Sequence, residues 1–288
     1  DNISRAEWMA QRNSVNSEKL AAGSVVTGSG DIAVYADAFW RDNDSYRIPG
    51  FADVQPDDDA QKGIVDNTAA TAKGFTLGGS YLLDNGYVGL SYGRLDREYG
   101  IPGHAHGGHD EHADELADEH GADEQVYADL TQNRYQLLSE LSFSSGLIRA
   151  VNTRLAFTDY QHAEIEDGFV STVFRNKSHE ARFELFHQPV YDWKGGLSLH
   201  YKFSDFEAIG SEAFTPPSES TMLALGWMAE RHFGPVLLQL GARAERVKIS
   251  ANQVLLPELE IHGHGDEHNE HDHADEHGDD EILRVFGV

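Results

Sequence analysis

The sequence contains no cysteine, which excludes disulfides, Cys-ligated zinc fingers, Cys-ligated metal clusters and thiol catalysis. Basic residues are also scarce: 22 Lys and Arg stand against 49 Asp and Glu, which gives a net charge of −27. Binding to nucleic acid requires a basic surface that displaces counterions, so this acidic chain is not expected to bind nucleic acid. The same charge disfavours electrostatic docking on anionic lipid headgroups.

Long hydrophobic runs are absent as well, since no stretch approaches the roughly 18 apolar residues of a membrane-spanning helix. No signal peptide is visible, because the chain begins at Asp1 without Met or an apolar leader. The chain ends at Val288 directly after a strand-like segment, and both ends predict a fragment of a longer protein. A membrane β-barrel remains compatible with these absences, because its strands are only about ten residues long and alternate in polarity.

What the sequence does contain is alternation of apolar and polar residues with a period of two, the pattern of β-strands. From Ile32 to Trp40 the even positions are apolar, whereas Asp37 and Arg41 fall on the other face. The same pattern recurs in residues 87–97, 134–143, 181–185, 197–204 and 236–243. About ten such strands are expected, which predicts an all-β, antiparallel fold.

The connections between these strands differ in length. Short turn signals are found at residues 84–86, 144–146, 192–196 and 233–235. Longer polar stretches are found at residues 42–73, 101–130, 159–178 and 205–220, and after 250. Short turns that alternate with long loops favour a transmembrane barrel with long extracellular loops, although period-two alternation by itself also fits a soluble sandwich. Aromatic residues near strand ends suit interfacial girdles; they are Phe39, Trp40, Tyr81, Tyr87, Tyr92, Tyr135, Phe143 and Trp193.

Two segments, 101–130 and 251–281, concentrate the acidity and are interpreted as His/acid-rich extracellular loops. Between His104 and Glu124 there are 8 acidic residues, between Glu258 and Glu281 there are 11, and neither stretch contains Lys or Arg. Eleven of the sixteen histidines also lie in the two segments. The eleven are His104, His106, His109, His112, His120, His262, His264, His268, His271, His273 and His277.

Imidazole and carboxylate together suit Zn²⁺, and after it Ni²⁺, Cu²⁺ or Co²⁺, while the missing thiolates disfavour Cu(I). Interspersed glycine and scarce apolar residues predict several exchanging sites of moderate affinity rather than one preorganised site. Such sites suit capture and handover of a metal. The alternative is a solvated acidic loop in which histidine is incidental.

The remaining histidines and a group of carboxylates are further candidates for ligands or catalytic groups. A ligand role is conceivable for His162 and His179, but a structural or solvated role is the stronger interpretation. His187, His200 and His232 are interpreted as lumen-facing or interfacial. Glu164, Glu166 and Asp167 have no nucleophile or second catalytic group nearby in the sequence, so no enzyme is expected.

Four segments of the chain resemble the barrel of TonB-dependent outer-membrane receptors, and among these the ZnuD-type zinc receptors. The segments are Asn43–Gly50 (NDSYRIPG), Ser91–His106 (SYGRLDREYGIPGHAH), Asp159–Gly168 (DYQHAEIEDG) and His179–His187 (HEARFELFH). The resemblance runs across most of residues 1–288. The Asp159–Gly168 segment is shared by many receptors of this type, whereas the His-rich loops narrow the substrate.

The resemblance implies a 22-stranded barrel in the Gram-negative outer membrane, of which this chain would form a part. It also implies a plug domain, contact with membrane lipid, and opening driven by the TonB complex. The expected function is uptake of a divalent metal, zinc first, as the transported substrate. Two alternatives are a siderophore or haem receptor of the same architecture and a surface protein that scavenges metal without transporting it.

Overall fold

The computed structural model describes residues 4–52, 54, 62–102, 126–211 and 213–251. These residues contain eleven β-strands and no helix. These residues belong to one unit, Asp1–Val254. Within these ranges there is no helix long and apolar enough to cross a lipid bilayer. The strands are β1 (Ser4–Arg12), β2 (Lys19–Ser29), β3 (Ile32–Asn43), β4 (Ala70–Leu83), β5 (Gly86–Gly100), β6 (Val126–Ser142), β7 (Ile148–Glu166), β8 (Phe169–Val190), β9 (Trp193–Gly210), β10 (Ser218–Phe233) and β11 (Val236–Ala251).

The strands form a single antiparallel sheet in which each strand pairs with the strands before and after it in the chain. Consecutive connections therefore lie at opposite ends of the strands. One end, the short edge, carries connections of two to five residues between β2 and β3, β4 and β5, β6 and β7, β8 and β9, and β10 and β11. The other end, the loop edge, carries residues 44–69 and 101–125, and β11 also ends there. The short edge thus carries only short turns, as expected, whereas the loop edge carries two long loops together with the shorter connections 13–18, 167–168 and 211–217.

Two of the expected loops are wrong, and the strands number eleven rather than ten. Residues 159–178 are mostly strand, because β7 and β8 are joined only by Asp167 and Gly168, both with positive φ. Residues 205–220 likewise contain the end of β9 and the start of β10. Both segments look like loops in the sequence because their strands are polar on both faces there, with Asp159, Lys177 and Asp205 on the face that is apolar elsewhere.

The register separates the side chains into an apolar face and a polar face. On β5, β6 and β7, Leu90, Leu137 and Leu155 are direct partners on the apolar face. On β7, β8 and β9, Arg154, Arg182 and His200 are direct partners on the polar face. Because alternate residues of a strand point to opposite faces, the period-two pattern of the sequence becomes one continuous apolar surface across the sheet.

The apolar face is not covered by a second layer within the described part of the chain. Trp8 is 84% exposed and Leu90 is 63% exposed, and the buried hydrophobic residues are few and small; they are Val126, Ala128, Ala208, Ala224 and Ala229. A soluble sandwich would bury such a face against a second sheet. A large exposed apolar surface is stable only against another apolar phase, so lipid is the expected neighbour.

An aromatic row marks the upper limit of the apolar face, towards the loop edge. Tyr92, Tyr135, Phe157, His179 and Phe203 are direct partners across β5 to β9. Neighbouring rings in the row lie between 4.8 and 6.1 Å apart. Two residues further along each strand the row becomes polar and mostly charged; it consists of Arg94, Asn133, Asp159, Lys177 and Asp205. This change from aromatic to charged side chains is typical of a membrane–water interface.

The part of the apolar face between the aromatic row and the short edge is called the apolar band. Its height can be measured along β9. From Phe203 to Trp193 the strand advances ten residues, about 33 Å at 3.3 Å per residue. At the strand tilt of about 40° found in membrane barrels, this corresponds to about 25 Å, the height of the lipid-facing band of such barrels. The sheet therefore has the dimensions of part of an antiparallel β-barrel of the outer-membrane type.

A charge placed in the middle of this band should distinguish the two faces. We expect Leu199→Arg, on the apolar face, to lower the free energy of unfolding by about 2–4 kcal/mol. Ser198→Arg, one residue away on the polar face, should cost less than about 1 kcal/mol, because the new charge remains in a polar environment. The measurement is reversible urea unfolding of the full-length protein in phospholipid vesicles. Equal losses for the two variants would contradict the assignment of the apolar face to lipid.

Candidate functional site

The eleven predicted ligand histidines, from His104 to His277, all lie outside the described residues. The strand ends that carry both segments are described, and they lie at the loop edge. Segment 101–130 leaves after Gly100 and returns at Val126, where Ile101 N donates to Val126 O at 3.0 Å. Segment 251–281 leaves after Ala251, the last residue of β11. Both His/acid-rich segments thus emerge at the same end of the sheet.

The two ends of segment 101–130, at Ile101 and Val126, are called its root. Asn67, in the preceding loop, holds this root together. Asn67 Nδ2 donates to Ile101 O at 2.9 Å and to Val126 O at 2.5 Å, so that one amide joins both ends of the segment. Asn67 has a φ of 54°, in the left-handed region that Asn tolerates better than most residues. Gly100 lies against it so closely that a Cβ there would collide with Asn67 Oδ1 and O.

Three potential ligands stand beside this root, on the polar face at the end of β7. His162, Glu164 and Glu166 alternate along the strand and therefore share one face. Their partners on β6 are Leu130, Ala128 and Val126, so Glu166 lies opposite the residue at which segment 101–130 returns to the sheet. The sequence contained this signal, because the spacing His-x-Glu-x-Glu places all three side chains on one face once the segment is a strand.

The imidazole of His162 is held by its neighbours. Its ring stacks on Phe174 of β8, with the ring centroids 4.9 Å apart, and Nδ1 lies 3.3 Å from Tyr160 Oη. Its Nε2 is buried and lies 3.5 Å from Glu164 Oε1, with the two side chains 18% and 15% exposed. The ring of His162 is thus stacked on one side, and its Nε2 is directed at a carboxylate.

His162 lies outside the apolar band. It follows Phe157 of the aromatic row by five residues, which corresponds to about 13 Å of height at a rise of 3.3 Å and a tilt of 40°. Burial lowers the pKa of this imidazole below its usual value, because the charged form loses solvation. The ring is therefore neutral at physiological pH, and the neutral ring is the form that binds metals.

The remaining histidines occupy different surroundings. His179 lies on the apolar face between Phe157 and Phe203, which removes it from any site on the polar face. His200 is on the polar face, where its Nε2 lies 2.9 Å from Glu180 Oε1. His187, whose Nδ1 lies 2.6 Å from Gln188 O, is near the short edge, as is His232. Within the described ranges, no group of three or more His, Asp or Glu side chains is arranged to hold a metal ion.

No family model matches the chain. Among solved structures, the sheet is similar to the FrpB iron transporter from Neisseria meningitidis, in its F5-1 variant and in its F3-3 variant, with TM-scores of 0.62 to 0.64. The sequence identity is 11%, and 86% of this chain is covered. The chain spans about two-fifths of the length of those structures, with 40–41% of each covered. At this identity the similarity establishes the fold, part of an outer-membrane β-barrel.

Crowding at the loop root can be tested with a matched pair of glycine substitutions. Gly100→Ala should lower the free energy of unfolding by about 1–3 kcal/mol, because its methyl group would have to displace Asn67 from the two carbonyls that it bonds. Gly50→Ala is the control, since a Cβ there meets no atom within 4 Å. Hydrogen exchange should show faster exchange of the Ile101 amide in Gly100→Ala only. Unchanged exchange in both variants would contradict the role of Asn67.

Proposed function

We propose that this chain is the barrel portion of a TonB-dependent outer-membrane receptor that takes up a divalent metal, zinc first, and that it is of the ZnuD type. The observation that carries the proposal is the common position of the two His/acid-rich segments. Both leave the sheet at the loop edge, whereas the short edge carries only tight turns in the described ranges. In outer-membrane barrels the long loops face the outside of the cell and the short turns face the periplasm.

The chemistry of the segments supports zinc as the captured metal. Residues 104–124 and 258–281 together contain eleven imidazoles and nineteen carboxylates without a single Lys or Arg, and this negative charge attracts divalent cations. Zinc accepts imidazole and carboxylate ligands in a four-coordinate shell, which many subsets of these side chains can supply. A set of exchanging ligands captures the metal and releases it again, as handover to a transport path requires.

In this proposal the apolar face and the polar face of the sheet have different surroundings. The apolar face contacts lipid of the Gram-negative outer membrane, and the polar face lines the lumen that a plug domain would fill. The TonB complex would supply the energy for opening. No catalytic role is proposed, in keeping with the structural neighbours, which are transporters.

A second candidate is uptake of iron, free or bound to a siderophore or haem, through the same architecture. It is favoured by the structural neighbours, which are structures of an iron transporter. The enrichment in histidine argues against it, because ferric iron prefers hard oxygen ligands and the carboxylates alone would supply these without the eleven imidazoles. A third candidate, a surface protein that only scavenges metal, would bind zinc at the same segments without transporting it.

Uptake of radioactive zinc by cells that carry the full-length receptor tests the proposal. Replacing the eleven segment histidines by Asn should lower the uptake rate at limiting zinc by about tenfold or more, because the capturing imidazoles are lost. His187→Asn combined with His232→Asn is the control and should leave uptake unchanged. Unchanged uptake in the eleven-fold variant would contradict capture by these segments. Competition by a ferric siderophore would favour the iron receptor, and binding without uptake would favour the scavenger.

Zinc binding should also depend on pH in a defined direction. Only the neutral imidazole binds metal, and the usual pKa of histidine is about 6.5, so zinc affinity should fall as the pH drops below about 6. The measurement is zinc titration of the full-length receptor between about pH 5 and pH 7.5, with Ca²⁺ as the comparison ion. Full zinc affinity at about pH 5 would indicate binding by carboxylates alone and would contradict the role of the histidines.

A further inference from the structure

We propose that His162 and Glu164 form a metal-transfer site on the polar face, just inside the loop edge. The inference rests on the proposed uptake of a divalent metal and names a position that the metal occupies after capture. The two side chains lie on β7, two residues apart on one face, beside the point at which segment 101–130 rejoins the sheet at Val126.

The separation of the two ligand atoms is the first argument. His162 Nε2 lies 3.5 Å from Glu164 Oε1, longer than an N–H···O hydrogen bond of good geometry. Zinc binds nitrogen at about 2.0–2.1 Å and carboxylate oxygen at about 2.0–2.2 Å, so two ligands of a tetrahedral ion stand about 3.4 Å apart. The pair therefore has the spacing of two ligands on one zinc ion. His200 and Glu180, at 2.9 Å, have the spacing of a hydrogen bond instead.

The imidazole of His162 is also held in place by two aromatic neighbours. Phe174 stacks on one side of the ring, and Tyr160 Oη lies 3.3 Å from Nδ1. When Nδ1–H donates to this hydroxyl, the lone pair of Nε2 is directed at Glu164. Histidine ligands in metal sites are commonly oriented by such a hydrogen bond from the second ring nitrogen, which also reduces the entropy lost on binding.

The residues paired with His162 and Glu164 also differ in charge from those around the other His–Glu pair of the polar face. In the sheet register, His162 lies between Leu130 and Phe174, and Glu164 lies between Ala128 and Thr172, so none of these direct partners is basic. The pair formed by His200 and Glu180 is different, because their direct partners include Arg182 and Lys202. Those cations would repel a divalent metal.

Two protein ligands leave two positions of a tetrahedral shell open, because no third His, Asp or Glu of the described ranges completes a site. Water fills these positions or is displaced by a ligand that delivers or accepts the metal. A site with two protein ligands binds more weakly than a site with four, so the metal leaves it readily. These properties suit a transfer site and are unsuitable for storage or for structural zinc.

The test uses the full-length receptor in which the eleven segment histidines have been replaced by Asn, and Co²⁺ as a spectroscopic probe for the zinc site. We expect one residual site, with the visible absorption of tetrahedral or five-coordinate Co²⁺, that zinc displaces. Glu164→Gln and His162→Asn should each weaken Co²⁺ binding at this site at least tenfold. The matched pair Glu180→Gln and His200→Asn should leave it unchanged. Heat-modifiable migration on gels verifies that each variant forms a folded barrel.

The outcomes separate this inference from the proposed function. The inference is overturned if the receptor without segment histidines has no residual Co²⁺ site, or if that site is insensitive to Glu164→Gln in a folded barrel. A residual site that responds to His162 and Glu164 supports the inference even if the segment histidines prove dispensable for uptake. In the otherwise unchanged receptor, Glu164→Gln should lower the maximal zinc uptake rate several-fold while the total amount of bound zinc falls by no more than one ion.

Discussion

Pairing of backbone hydrogen bonds between neighbouring strands is the constraint on which the described structure depends. Each of the ten strand pairs is antiparallel and in continuous register, apart from local irregularities in the pairs β7–β8 and β8–β9. Once the backbone is paired in this way, side chains must alternate between two faces. In a membrane no water is present to satisfy unpaired amides, so this pairing is also a condition for crossing lipid. The aromatic row, the charged row above it and the polar face all follow from it.

The same constraint explains which parts of the fold the sequence predicted. Where one face is apolar, as at Leu90, Leu137 and Leu155, the period of two is clear and the sequence predicts the strands. Beyond the aromatic row both faces are polar, so the end of β7 and the start of β8 lose the pattern and their sequence resembles that of a loop. Phe39 and Tyr87, predicted as interfacial, instead lie on the polar face, because position near a strand end does not determine which face a residue occupies.

For the candidate site, too, the sequence predicts some features, whereas others depend on the fold. Composition identified the eleven segment histidines, because an excess of His, Asp and Glu needs no knowledge of the fold. The site at the end of β7 depends on register: Phe174 reaches His162 only because β8 folds back at Asp167 and Gly168. The bond from Asn67 to both ends of segment 101–130 joins residues far apart in sequence. Neither local propensity nor residue spacing predicts these two contacts, whereas the His-x-Glu-x-Glu spacing of β7 does predict that its three polar side chains share one face.

The central claim is the proposal that imidazoles of this protein bind zinc. X-ray absorption at the zinc edge, on the full-length receptor loaded with less than one equivalent of zinc, tests this claim most directly. The account predicts a shell of nitrogen and oxygen ligands at about 2.0–2.1 Å, with the outer-shell scattering of imidazole rings. A shell made of oxygen alone, without imidazole scattering, would contradict it.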